Sequence, residues 1–350
     1  MLFTSLLVLS MGCNYPGAAD LPKAPPPPPP VSIDPAKLAT FAALPARMDV
    51  AEAPTAQQID LGRMLYYDKR LSKNQDVSCN TCHQLDKFGV DNQPTSTGHK
   101  GQKGGRNSPT SLNAAGQFVQ FWDGRAADVE AQAKGPVLNP IEMAMKDEAS
   151  VVALLKSIPD YGPLFANAFP ADTDPVNYDN MAKAIGAFER GLTTPSKWDK
   201  FLGGDQAALT DAEKQGFLTF VDNGCTACHS GAYVGGTMYQ KMGLVKPWTN
   251  TTDLGRQAIT NNEGDAFMFK VPVLRNVTKT APYFHDGSVA TLEEAVKQMG
   301  EYQLGKQLTD QQVGEIVAWL GTLEAAPDAA YVKEPTLPAN GPKTIAPDPT

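Results

Sequence analysis

Histidine is scarce in this chain, with four in 350 residues, and cysteine is little commoner at five. Any centre built on imidazole or thiol must therefore draw on very few side chains. Positive charge is also short: 30 Lys and Arg against 38 Asp and Glu give a net charge of -8. That sign argues against a phosphate backbone as partner, so no nucleic acid is expected, while a basic soluble partner suits it. Runs of alternating apolar and polar residues, the mark of half-buried strands, are missing. So is any apolar run able to span a bilayer, since the opening MLFTSLLVLSMGC is far too short.

That opening reads as an export leader, although the usual positive residues before it are lacking. Cys13 resembles the lipidated cysteine of a bacterial lipoprotein, with Ser10 an unusual residue three places earlier; a simply cleaved leader is the alternative. PKAPPPPPPV follows as a polyproline spacer. The far end, AAPDAAYVKEPTLPANGPKTIAPDPT, is rich in Pro and Ala and reads as a loop or wrapping tail.

Between these ends the hydrophobic content of 42% supports one large or two ordinary domains. Helix starts are marked by capping boxes pairing Thr55 with Gln58, Thr210 with Glu213, Thr291 with Glu294 and Thr309 with Gln312. With so much Gly and Pro, the pattern predicts small all-helical domains wrapped in long irregular loops. An internal repeat locates them. CNTCH (Cys79 to His83) and CTACH (Cys225 to His229) lie 146 residues apart, each after an amphipathic helix. The organisation expected is a leader and linker over 1–50, domains over 51–194 and 195–325, and a tail over 326–350.

C-x-x-C-H is specific because three groups must meet one porphyrin: two thiols add to the vinyl groups and the adjacent histidine reaches the iron. A thioredoxin-like pair does not need the histidine, a zinc site would have to be assembled across 146 residues, and a disulfide between cysteines so close is strained. Two covalent c-type haems are therefore expected, on Cys79, Cys82 and His83 and on Cys225, Cys228 and His229. The fold class that follows is mainly α, with two class-I cytochrome c-like haem domains. His99 and His285 are the remaining histidines, beside eleven methionines. His99 lies in STGHKGQKGG, sixteen residues after His83 and able to fold back over the same haem; a surface histidine is the bland alternative. His285, beside Asp286, reads as a buried, hydrogen-bonded histidine. Met299 shares a helical face with Leu292 and Val296, which suits a core methionine and a soft haem ligand equally.

From Pro54 to Ala325 the chain resembles the bacterial dihaem cytochrome c peroxidases, through LGRMLYYDKRLS, SCNTCH, STGHKGQKGGRNSPT, QFWDGR, NPIEMAM, GCTACHSG, KVPVLRNVTKTAPYFHDGS and LEEAVKQMG. The resemblance implies that the N-terminal haem is the low-potential, peroxidatic one and that His99 is its removable distal ligand. Glu142 then matches the catalytic acid/base, Gln132 a neighbouring pocket amide and Trp122 the aromatic between the haems. The C-terminal haem would be the high-potential site that receives electrons, with Met299 as distal ligand. Asn107, Thr280 and Pro282 match an interdomain calcium site, the last two through backbone carbonyls.

The activity so implied is reduction of hydrogen peroxide to water with electrons from a small soluble cytochrome c or cupredoxin, in the periplasm. Half-reduction would release His99 by moving the glycine-rich loop. A lipid tether at Cys13 and a homodimer are compatible with this reading. One rival is a dihaem electron-transfer protein, which would need neither Glu142 nor a mobile ligand loop. Another is a tryptophan-oxidising dihaem enzyme of the same superfamily, which has a tyrosine in place of the methionine ligand and lacks the distal histidine.

Overall fold

Side-chain caps set where most of the described helices of this chain begin, those starting at Tyr161 and Gln257 excepted. A computed structural model describes residues 29–48 and 51–350. The leader and Cys13 lie outside the described residues. Twelve α-helices are found among them: α1 (Pro35–Leu38), α2 (Ala56–Tyr67), α3 (Cys79–Cys82), α4 (Val129–Leu138), α5 (Glu148–Ser157), α6 (Tyr161–Ala168), α7 (Tyr178–Glu189), α8 (Lys197–Leu202), α9 (Asp211–Asp222), α10 (Gln257–Thr260), α11 (Leu292–Gln298) and α12 (Asp310–Leu320). Reciprocal capping boxes form at Thr55, Thr210 and Thr309 as expected. At Thr291 only half the box is made. Thr291 accepts from the Glu294 amide, but the Glu294 carboxylate accepts from Gln298 one turn on and never reaches back. Further boxes stand at Ser78, Asp147 and Ser196.

Two hydrophobic clusters organise these helices. The first joins α2, α5, α6 and α7 around Leu65, Phe165 and Phe188. The second joins α8, α9, α11 and α12 around Trp198, Phe217 and Trp319, with the Phe220 and Trp319 rings 4.5 Å apart. Each cluster turns on one crossing where a glycine removes the side chain between two backbones. A Cβ on Gly62 of α2 would lie 1.8 Å from the Ala184 carbonyl of α7. A Cβ on Gly216 of α9 would lie 2.0 Å from the Glu315 carbonyl of α12. Both contacts are impossible for any other residue without moving a helix.

The molecule is mainly helical with little sheet: β1 (Tyr239–Lys241) pairs antiparallel with β2 (Met268–Lys270), Tyr239 opposite Lys270. Residues 35–48, grouped by sequence with the linker, pack against the helices. Phe41 joins the second cluster 5.7 Å from Trp198 because its aromatic ring buries area that a solvated spacer would waste. The tail returns to the first cluster. Tyr331 stacks on Phe188 at 5.2 Å and donates to its carbonyl, and the Asp348 amide donates to Lys73 O. No helix among the described residues is long and apolar enough to cross a membrane.

Candidate active site

Each C-x-x-C-H follows a crossed helix, at once after α9 but only after an eleven-residue connection from α2, and opens onto its own cavity. Cys79, Cys82 and His83 border one of about 410 Å³; Cys225, Cys228 and His229 border one of about 240 Å³. Burial pushes the Cys82 and Cys225 thiols up to about 11. Thiols so disposed to keep their protons do not suit an exchange-active dithiol. His83 Nδ1 lies 3.0 Å from the Pro109 carbonyl, which can only accept, so the proton stays on Nδ1 and Nε2 keeps its lone pair. His229 Nδ1 faces the Val234 carbonyl at 3.4 Å, and burial holds its imidazole down to about 4. A neutral imidazole with one nitrogen anchored to a carbonyl is the form that ligates iron. These residues fit covalent haem.

The N-terminal cavity is the polar one. Glu142 borders it, following α4, with its Oε1 accepting from Asn139 Nδ2 at 2.8 Å. Burial raises its pKa, against the pull of Arg125 and of the Asn139 hydrogen bond. Gln132 on α4 borders the same cavity. Arg125 lies 3.4 Å over the Phe121 ring and pairs with Asp123 at 2.8 Å. Trp122 borders both cavities; its Nε1 donates to the Asn107 carbonyl at 2.9 Å, and its own carbonyl accepts from the Lys270 amide at 2.7 Å.

His99 is buried, yet it is its neighbour Gly98, not His99, that borders the cavity. The His99 amide donates to the Glu142 carbonyl at 2.8 Å, and Gln102 Nε2 donates to both the His99 and Pro140 carbonyls. The His99 segment and the Glu142 segment are therefore tied backbone to backbone. His99 Nδ1 is buried with no hydrogen-bond partner, an atom that wants a donor or a metal.

Met299 borders the C-terminal cavity at the point where α11 widens into a π-helical turn, Met299–Gln303. Such turns are frequent at functional sites, and helical periodicity does not reveal them. Thr280 and Pro282 border that cavity too, and Asn107 borders both. Asn107 turns its Nδ2 to the Gln93 carbonyl at 2.9 Å, leaving Oδ1 available. Among the described residues no group of three or more His, Cys, Asp and Glu is arranged to hold a metal.

Two features escaped the sequence reading. Glu189 borders the N-terminal cavity from α7, its carboxyl pushed up to about 8 by burial and by Glu130. In FERGL nothing distinguishes it from an ordinary helical glutamate. The other was legible in principle. The stretch from Asn107 to Pro136 repeats from Lys270 to Met299 at a constant offset: Pro109 with Pro272, Asn113 with Asn276, Asp123-Gly124 with Asp286-Gly287. Asn113 and Asn276 are both fully buried and left-handed, with φ of 60° and 61°, and both donate to Thr194 Oγ1. Phe121 and Phe284 share a positive φ, and the bridge from Gln120 to Ala126 recurs from Tyr283 to Val289.

Two crossed-helix clusters, each delivering a C-x-x-C-H to a cavity, define a dihaem c-type protein. The chain belongs to the di-haem cytochrome c peroxidase family, whose model matches residues 56–207. It is 44% identical over 339 residues to the cytochrome c551 peroxidase of Nitrosomonas europaea, covering 96% of this chain and 95% of that protein. To the cytochrome c551 peroxidase of Pseudomonas aeruginosa it is 47% identical over 296 residues, covering 83% and 85%. Among solved structures it is similar to a MauG-like protein associated with microbial copper homeostasis, with a TM-score of 0.74, 29% identity, and coverage of 91% and 99%.

Proposed function

We propose that this protein reduces hydrogen peroxide to two waters, using two protons and two electrons delivered one at a time by a small soluble cytochrome c or cupredoxin. The observation that carries this reading is the polar N-terminal cavity, where Glu142 shares the space with a C-x-x-C-H while Trp122 forms the wall toward the second cavity. Haem, held by Cys79, Cys82 and His83 in one domain and by Cys225, Cys228 and His229 in the other, would supply the iron site and the store of electrons. Glu142 is the proton carrier: it takes a proton from one peroxide oxygen and returns it to the other, which leaves as water when the O–O bond breaks with the electrons that bound haem would supply. Burial suits it to this task by raising its proton affinity. Gln132 orients the substrate by hydrogen bonding, and Trp122 carries electrons between the two domains.

His99 is proposed as the removable ligand. Its partnerless Nδ1 and its amide bond to the Glu142 carbonyl support a coupled movement of ligand and acid/base. Met299 is proposed as the soft ligand that raises the potential of the C-terminal haem. It also weighs against the tryptophan-oxidising alternative, where a tyrosine would stand. Calcium is proposed on Asn107 Oδ1 and the Thr280 and Pro282 carbonyls, an all-oxygen set at the junction of the domains. A periplasmic location, a lipid tether at Cys13 and a homodimer belong to the same proposal.

The decisive experiment pairs a pyridine haemochrome assay with steady-state turnover on a reduced small cytochrome. Two haems per chain and peroxide-dependent oxidation of the donor are expected. Two haems with permanently six-coordinate irons and no turnover would turn the reading to the electron-transfer alternative.

A further inference from the structure

The wall common to both cavities is made from residues 107–110, Gln117, Trp122 and Lys270. Lys270 is its only charged side chain. Among the described residues it is also the only Lys, Arg, Asp or Glu that borders the C-terminal cavity. Its counterpart in the internal repeat is Asn107, so the two halves of the wall differ by one cation.

That cation is poorly provided for. Lys270 is 5% exposed, and its ammonium donates only to neutral acceptors, Gln117 Oε1 and the Val119 carbonyl. Asp123 acts on it from a distance while serving Arg106 and Arg125, and burial pushes the ammonium down to about 7. Arg106 is fully engaged by Asp123 and Asp253. A buried ammonium with neutral partners only is unstable unless an anion completes its shell. Haem brings two carboxylates of its own, and the C-terminal cavity offers them no other cation.

We infer that Lys270 is the shared counter-ion of the two cofactors: haem carboxylates converge on its ammonium at the wall that also holds Trp122. Lys270 thereby fixes which edges of the haems face each other and raises the potential of the C-terminal haem, because a fixed positive charge favours the reduced form. The β2 register serves this placement, since the Lys270 amide is committed to the Trp122 carbonyl and aligns cation and aromatic on one wall.

This inference rests on the dihaem reading above, and its test separates the two. Wild-type protein is first assayed for haem content and titrated spectroelectrochemically; fewer than two haems, or a single potential, would sink the functional reading itself. Lys270→Met keeps length and loses charge, whereas Lys270→Arg keeps charge. A tenfold change in an equilibrium corresponds to about 1.4 kcal/mol, a scale within reach of one buried charge beside a haem. Lys270→Met should therefore weaken reduction of the C-terminal haem by about tenfold, a downward shift of about 59 mV for one electron, with Lys270→Arg near wild type. Unchanged potentials in fully loaded Lys270→Met, or an equal shift in Lys270→Arg, would overturn the assignment. Should Lys270→Met fail to hold haem, Lys270→Arg decides: full loading supports the charge requirement, and equal loss assigns Lys270 to packing.

Discussion

Asn107 to Pro136 and Lys270 to Met299 are one piece of architecture used twice, and among the many positions at which they differ a few border the cavities and carry the chemical difference. The shared parts are structural: the left-handed asparagines on Thr194, the positive-φ phenylalanines and the short bridge that leads into α4 or α11. At the end of the repeat, α11 brings Met299 to the C-terminal cavity, where α4 brings Pro136 to the N-terminal one. A thioether can ligate iron and a proline ring cannot. The same scaffold therefore puts a thioether, the proposed soft ligand, at one site and leaves the other to a ligand from outside the repeat, the role proposed for His99. Trp122 against His285, and Lys270 against Asn107, are the other substitutions of consequence, and all of them border the cavities.

The largest effect expected from breaking this comparison is on stability. Each half carries an arginine–carboxylate pair, but Arg275 is wholly buried against Asp199 while the Glu130 partner of Arg190 is partly exposed. Arg275→Met should cost about 3–5 kcal/mol in chemical denaturation, since it strands a buried charge, and Arg190→Met distinctly less. Equal losses would remove the distinction. The Asp199 carboxyl is raised by burial but lowered further by the Arg275 hydrogen bonds and charge, for a net depression. Its contribution is thus fully present above the unfolded value of about 3.9 and lost as pH falls through the lower folded value. Asp199→Asn should flatten that part of the acid-denaturation curve.

Next in size is catalysis. Glu142→Gln keeps shape but cannot accept a proton, so peroxide turnover should fall about a hundredfold or more while opening of the N-terminal site on half-reduction persists. In wild type the rate should decline as pH drops through the raised pKa of Glu142, because the carboxylate form is the acceptor. Near-normal turnover of the variant would remove Glu142 from the mechanism. His99→Gly separates gate from catalyst: the oxidised variant should lose its low-spin signal at the N-terminal haem and accept peroxide without prior reduction, as read by electron paramagnetic resonance.

Smaller and sharper is an exchange within the repeat. Pro136→Met should give the N-terminal site a thioether, raise its potential and slow peroxide binding; Met299→His should lower the C-terminal potential and leave covalent attachment intact. Unaltered redox titrations in both would show that the equivalence is one of backbone alone. The helix crossings test the shared part. Gly62→Ala and Gly216→Ala should each destabilise by roughly 1–3 kcal/mol, by similar amounts, in thermal melts. Smallest is calcium, where Asn107→Ala should weaken calcium-dependent activation more than haem content.

Much of this was written in the residues. Three of four capping boxes stand where their Thr and Gln or Glu predict, because a cap is a contact between residues three apart and needs no tertiary partner. The fourth failed for an equally local reason, competition from Gln298. C-x-x-C-H likewise carries its chemistry within five residues, and it alone announced the haems. Other features depend on elements distant in the chain. Periodicity left Met299 between core and ligand, and only the π-turn set against Cys225, Cys228 and His229 puts it on a cavity wall. Nothing in the sequence singles out Lys270 until the wall closes around it, or Glu189 until α7 packs on α2. Phe41 fell among linker residues because burial comes from α8 and α12, more than 150 residues away. Local hydrogen bonding and covalent spacing are properties of neighbours in sequence, so the chain itself determined them. Burial, charge neutralisation and shared walls are properties of neighbours in space, and packing alone decided those.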